Sequence, residues 1–250
     1  YLNIWTPARS PDEKLPVLVW IYGGGMMGGT SASSVYNGEG FCKRGVILVT
    51  FNYRTGVLGL LAHPELSEES GYGGSGNYYF MDQMAAIKWT KRNIANFGGD
   101  PDKITIFGHS SGAIAATGIC TSPLSKGDFV GAAIQSSAVL RDFDGVGEIF
   151  LALDKAEARG VDFVKRCGCS SISEMRNAST QLLKKTFWEW PLGRHAFCGT
   201  IDGYVFPESP VHAWYTGAAH DICYLCGTAE DEENSLFGFP GVANYLTREM

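Results

Sequence analysis

The feature that most constrains this chain is a run of β-formers that breaks into Gly108-His109-Ser110-Ser111-Gly112 and passes at once into a small-residue helix. Residues 103–107 read as a short strand, and residues 113–120 as a helix closed before Pro123. Between them the chain must turn so tightly that only glycine fits beside the central serine. Gly108-x-Ser110-x-Gly112 in that setting is a nucleophile elbow, which exposes Ser110 Oγ at the carboxyl end of a sheet. The bland alternative is an ordinary helix-opening serine. The strand before the turn and the helix after it favour the elbow.

The flanking segments extend the same architecture. Residues 15–22 and 46–52 are apolar and rich in β-branched residues, and read as strands buried on two faces. Phe80, Met84, Ile87, Ile94 and Phe97 recur at helical spacing and form one stripe, which Gly98-Gly99 and Pro101 stop. Residues 131–135 and 221–227 return to strand patterns. The alternation of strand and helix implies parallel pairing through right-handed crossovers. The expected fold is therefore α/β, a mostly parallel central sheet with helices on both faces. No repeat or linker divides the 250 residues, so one domain spanning 1–250 is expected, with a helical, cap-like insertion at about residues 141–200.

Composition excludes several partners. A net charge of −6 leaves no basic footprint for nucleic acid. The longest apolar runs fall far short of a transmembrane span. Seven cysteines are too few for a disulfide scaffold and odd in number, which favours a reducing, cytoplasmic setting and leaves secretion open. The 32 glycines follow no three-residue period, so they point to loops with special backbone needs rather than to collagen.

Acyl transfer at Ser110 requires donors aimed at the developing oxyanion. The N–H of Ser111 is the first candidate, and a glycine loop after an earlier strand, Tyr22-Gly23-Gly24-Gly25, is the second. Residues 23–28 also spell G-x-G-x-x-G, the dinucleotide fingerprint. That reading needs a helix opening on the third glycine, whereas residues 29–38 read as loop. Gly71-Tyr72-Gly73-Gly74-Ser75-Gly76 matches too, but follows no strand and reads as a flexible loop.

These motifs belong to a longer series. Tyr1-Leu2-Asn3-Ile4-Trp5-Thr6-Pro7, the Tyr22 to Gly25 loop, Asn52-Tyr53-Arg54-Thr55-Gly56, Asp82-Gln83, Asn96-Phe97-Gly98-Gly99-Asp100-Pro101, the Ser110 elbow and Gln135-Ser136 occur in one order. In that order the chain resembles the type-B carboxylesterases, the cholinesterase-like branch of the α/β-hydrolases. The likeness covers most of residues 1–137, weakens to about residue 201, and returns at Ile201-Asp202-Gly203 and at residues 227–232. It implies the α/β-hydrolase fold, with Ser110 as nucleophile, Gly24, Gly25 and the Ser111 amide as oxyanion hole, and Glu232 as the acid of the triad. It also implies that Arg54 and Asp82 form a buried structural ion pair and that Ser136 is a supporting serine.

Glu232 has competitors in Glu230, Asp231 and Glu233, and a solvated acidic cluster is the plain alternative. The family pattern favours the acid that follows Asp, hence Glu232. Glu233 stands where the family usually has Gly, and a like charge there is expected to raise the pKa of Glu232. His109 replaces an acidic residue of the family. Its place in the turn aims it away from Ser110, so it is not taken as the base, and the lost carboxylate argues weakly against cationic choline esters. Ser111 replaces the customary Ala, which leaves its N–H in place.

The remaining candidates are structural. His63, His195, His212 and His220 are isolated, Cys223 and Cys226 on a strand face opposite ways and suit no single zinc ion, and Cys167 and Cys169 are too close for a relaxed disulfide. Phe187, Trp188 and Trp190 read as a packed aromatic cluster.

The superfamily orders its triad Ser, acid, His, and no His follows His220. Without imidazole a serine hydroxyl is a poor nucleophile at neutral pH. Either the catalytic His lies beyond residue 250 in a longer esterase, or the chain is a non-catalytic binding or adhesion relative. The intact elbow, and two ends that stop in mid-pattern, favour the first. The expectation is a serine carboxylesterase fragment, inactive alone, whose parent cleaves a small-molecule carboxylic ester without a cofactor.

Overall fold

Apolar runs rich in β-formers build a six-stranded sheet in the structure, a computed structural model that describes residues 1–137, 149–190, 197–230 and 232. Its first strands are β1 (Leu2–Trp5), β2 (Leu15–Ile21), β3 (Ile47–Phe51), β4 (Gly99–His109) and β5 (Gly131–Gln135). A separate pair, β6 (Phe150–Ala152) and β7 (Gly199–Ile201), precedes β8 (Cys223–Gly227), which rejoins the main sheet. The order across that sheet is β1-β3-β2-β4-β5-β8, with β1 antiparallel to β3 and every other neighbour parallel. The helices are α1 (Glu39–Cys42), α2 (Val57–Leu60), α3 (Pro64–Glu69), α4 (Tyr78–Asn93), α5 (Ser111–Ile119), α6 (Leu153–Arg166), α7 (Ile172–Met175), α8 (Thr180–Glu189) and α9 (Pro210–Thr216).

Strand β3 is buried at every position, as its unbroken apolar run implies. Strand β2 differs from the expectation of two buried faces: Val17, Val19 and Ile21 are buried while Leu18 and Trp20 are only half-buried. Alternation is the cause. One face of the sheet lies under α4 and α5, whereas on the other Trp20 packs 4.6 Å from Phe107 beneath Tyr36 and Phe41.

Helix α4 buries Tyr79, Phe80, Gln83, Met84, Ile87 and Thr90 on one face, and Ile94 continues it. Phe97 leaves the expected stripe. Residues Ile94–Phe97 tighten into a 3-10 turn, whose three-residue period rotates Phe97 outward against Trp89, and Gly98 at φ 79° ends it. At the other end Asn77 is fully buried and behaves as a strand neighbour of β7: its side chain donates to Thr200 O at 2.6 Å and accepts from Thr200 N–H at 2.9 Å. The preceding glycine stretch is packed in its second half, with residues 74–77 buried, while Gly71 and Gly73 are exposed and the Ser70 hydroxyl accepts three backbone N–H groups.

The segment after residue 149 is helical as expected, apart from β6. Three-residue strands such as β6 and β7 are too short to leave a periodic signal. Glu65 caps Ile172 N–H at 2.9 Å and Glu69 forms a two-pronged pair with Arg176, so α3 holds α7 at two points. Phe187 and Trp190 pack with Phe163 and Phe197, but Trp188, expected in that cluster, is 67% exposed. Its ring nevertheless meets Phe187 edge-on at 5.3 Å from the outer side of α8. Among the described residues no helix is long and apolar enough to cross a membrane.

Phe80 joins these parts, with ring centroids 5.0 Å from Tyr79, 5.6 Å from Phe150 and 4.9 Å from Phe206. Truncating so buried an aromatic removes its transfer free energy and leaves a cavity. Phe80→Ala is expected to lower stability by about 3–5 kcal/mol in chemical denaturation. A loss under about 1 kcal/mol would show that Phe80 is not the joint.

Candidate active site

Four parallel strands end side by side. Ile21 pairs with Gly108, His109 with Gln135, and Gln135 with Gly227. The residues just beyond leave the sheet along one edge at intervals of about 4.8 Å. They are the loop from Tyr22 to Gly25, Ser110, Ser136 and the stretch that leads to Glu232. Open α/β sheets bind ligands at this carboxyl edge.

Ser110 occupies the turn from β4 to α5 at φ 56°, ψ −127°. Its N–H donates to Gln135 O at 3.1 Å, and its carbonyl accepts from Ile114 N–H at 2.9 Å. A Cβ at Gly108 would overlap the carbonyl of Gly112, and one at Gly112 would overlap that of Ile21. The end of β2 thus lies directly on the first turn of α5, main chain to main chain. Gly23 sits against Ser110 itself, since a Cβ there would be 3.2 Å from Ser110 Cβ.

The non-glycine residues at positive φ among those described are Lys14, Met26, Ser110 and Ser136. Three of the four lie along this edge. Each costs on the order of 1–3 kcal/mol and persists only where the surroundings impose it.

The loop after β2 is shaped by its backbone. Gly24 takes φ 130° and Gly25 φ 64°, Met27 N–H closes a turn onto Gly24 O at 3.1 Å, and Gly56 N–H donates to Met26 O at 2.7 Å. No described residue accepts the N–H of Gly24, Gly25 or Ser111. Free donors beside a helix N-terminus favour negative charge. Ser111 is buried, and its hydroxyl has no described partner. After Gly28 the next regular element is a three-residue 3-10 turn, Ser34–Tyr36, so the helix that a dinucleotide site requires does not open there.

The structure brings Glu232 to Ser136. Glu232 Oε2 accepts from Ser136 Oγ at 2.8 Å and from Ala229 N–H at 2.8 Å. These contacts, Ala229 first, hold the carboxyl below its ordinary value, with a smaller contribution from nearby His109. The rise expected from Glu233 rests on a residue that, with Asp231, lies outside the described residues. Ala229 has no sequence signal, because a backbone donor has no side-chain signature. His109 is exposed, and so is Glu230, shortly after β8.

Arg54 and Asp82 do pair, through Nε at 2.8 Å and Nη2 at 2.7 Å. The pair is not buried as expected: the Arg54 side chain is 51% exposed on the wall of a groove between α2, α4 and α7. Hydrogen bonding to Asp82 raises the Arg54 pKa further. The other histidines serve elsewhere. His63 caps α3 through Nδ1, His220 packs on Phe129 and contacts Ser122 O, and His212 is an exposed partner of Glu208, while His195 lies outside the described residues. Cys223 and Cys226 are exposed and unbridged, and Cys167 and Cys169 do not bridge.

Known proteins share this sequence and fold. The model of the Carboxylesterase family matches residues 1–242. The chain is 39% identical over 238 residues to fumonisin B1 esterase of Sphingopyxis macrogoltabida, covering 93% of this chain and 42% of that protein. It is 39% identical over 253 residues to bile salt-activated lipase of Rattus norvegicus, covering 95% and 40%. Among solved structures, a carboxylesterase of Geobacillus stearothermophilus matches with TM-score 0.80 and 36% identity, over 95% of this chain and 50% of that one. PNB esterase matches with TM-score 0.83 and 30% identity, over 99% and 53%. The chain therefore spans about two fifths of the length of these curated relatives.

Because the folded Glu232 carboxyl lies below its ordinary value, its stabilising contribution is present above that value and is lost as pH falls through the lowered one. Ser136→Ala is expected to move the Glu232 titration upward, read by carboxyl-carbon NMR. An unmoved midpoint would show that the Ser136 hydroxyl does not hold the charge.

Proposed function

This chain belongs to the carboxylesterase family, and from that premise we propose that it carries the nucleophile, the oxyanion donors and the acid of a serine ester hydrolase. Its fold is the α/β-hydrolase fold. The observation that carries the proposal is Ser110, held at positive φ at the head of α5 with Gly23, the residue that leads into Gly24 and Gly25, against it.

In the proposed reaction Ser110 Oγ attacks the carbonyl carbon of a carboxylic ester while a base takes its proton. The carbonyl oxygen becomes negative and accepts the N–H groups of Gly24, Gly25 and Ser111, each worth roughly a hundredfold to a thousandfold in rate. Collapse expels the alcohol, which takes the proton back from the base, and leaves the acyl group on Ser110. Water then repeats the sequence and releases the acid. The base is a His from the part of the full protein that follows these residues, held in its tautomer by Glu232. Glu232 suits that role because two donors fix its carboxylate and keep it ionised.

The relatives named above act on different esters, so the class proposed is a small-molecule carboxylic ester. A purely binding role accounts less well for the elbow, since a binding module has no need of a strained serine beside N–H donors that no described residue accepts.

In the full-length protein, Ser110→Ala is expected to lower turnover of a short-chain p-nitrophenyl ester by about 10,000-fold or more, and Glu232→Gln by about 1,000- to 10,000-fold. A fluorophosphonate is expected to label Ser110. Wild-type turnover in Ser110→Ala would overturn the proposal.

A further inference from the structure

Beneath the candidate site lie three buried tyrosines that the reaction does not use. Tyr22 and Tyr53 stack at 4.2 Å, and Tyr53 meets Tyr79 edge-on at 5.0 Å. Tyr22 precedes the glycine loop, Tyr53 follows β3, and Tyr79 lies in the first turn of α4. The Tyr53 hydroxyl donates to the carbonyl of Tyr22, which belongs to the peptide leading into the loop. The Tyr79 hydroxyl donates to the carbonyl of Ser111 at 3.1 Å. A phenol has one proton, so each of these hydroxyls is committed to one side of the oxyanion hole.

We infer that Tyr53 and Tyr79 are positioning residues that set the spacing of the oxyanion donors. Tyr53 fixes the peptide before Gly23, Gly24 and Gly25, while Tyr79 fixes the residue whose N–H is the third donor. Contact between the two rings makes the anchors one unit. The inference rests on the reading of Ser110 as an esterase nucleophile.

Three observations support it. Both hydroxyls donate to backbone carbonyls, so they constrain the main chain that supplies the donors. Burial pushes Tyr79 up to about 12 and raises Tyr53 as well, so both remain protonated donors at neutral pH. The two anchored peptides also border one contact, since a Cβ on Gly112 would lie 2.8 Å from Tyr22 O. A small change in spacing there is a change in donor geometry, to which oxyanion stabilisation is sensitive.

The test uses the full-length protein and begins with Ser110-dependent turnover of a p-nitrophenyl ester. Its absence overturns both the esterase reading and this one. Tyr53→Phe and Tyr79→Phe then keep the rings and remove the hydroxyls. In each, kcat is expected to fall about tenfold with KM within about twofold, and affinity for a trifluoromethyl ketone to weaken by the same factor as kcat. The double variant should lose less than the product of the single losses, because the anchors act together. Ser125→Ala is the stability control: it removes a buried hydroxyl that bonds Ile119 O at 2.6 Å, and should lower Tm while leaving kcat unchanged. Matched losses of kcat and ketone affinity in either Phe variant support the inference. Ser110-dependent turnover with both Phe variants within about twofold of wild type in kcat, or with ketone affinity unmoved in both, overturns this inference alone.

Discussion

The candidate site depends on two main chains that touch with no side chain between them. The carbonyl of Ile21, at the end of β2, lies where a Cβ on Gly112 would stand, in the first turn of α5. A methyl group there would push the loop from Tyr22 to Gly25 away from Ser110. The Gly-x-Ser-x-Gly spacing is therefore a statement about distance as much as about turning. Burial supplies the force that closes the gap. Ile21, Ile106, Ala113 and Ala116 are fully buried, and apolar area removed from water is worth roughly 25 cal/mol per Å².

That closure also holds strain in place. Ser110 and Ser136 sit at positive φ immediately after paired strand residues, and each is tied to the next strand, Ser110 N–H to Gln135 O and Ser136 N–H to Gly227 O. The sheet register thus continues one residue past the strands and fixes residues whose own backbone preference is elsewhere. Because β2, β4, β5 and β8 are neighbours, pieces far apart in sequence meet at one edge without a dedicated loop to gather them. Donors fixed before the reaction need no reorganisation when charge develops, which is how oxyanion holes work.

The elbow is legible in the sequence because its residue types, its flanking strand and its helix all agree. The parallel α/β organisation is legible for the same reason, through alternation of apolar runs. Other parts leave weaker marks. The partial exposure of β2 depends on what lies over Trp20, and Phe97 leaves its stripe because the helix tightens at its end, so neither follows from spacing alone. Strands β6 and β7 are three residues each and are recognised only by pairing with one another. Glu232 stands out by family pattern alone, since four neighbouring acids look alike to any residue-level rule. Its partner Ala229 and the tyrosine anchors act on or through backbone atoms, which every residue has.

The Arg54–Asp82 pair shows why an ion pair's value need not be its energy. Half exposed, it is screened by solvent, and such pairs contribute about 0–1 kcal/mol. Its geometry is more informative. Asp82 accepts the backbone N–H of Arg54 at 3.0 Å as well as its guanidinium, and that guanidinium lies 5.1 Å from the Tyr78 ring. Asp82 therefore ties the start of α4 to the segment after β3 at backbone level. Those two elements carry Tyr79 and Tyr53, the residues that bond to Ser111 and Tyr22. The partly buried Asp82 carboxylate thus joins the two segments whose tyrosines bond to Ser111 and Tyr22, and under the proposed reading its weight lies in where the oxyanion donors stand rather than in the energy of the pair.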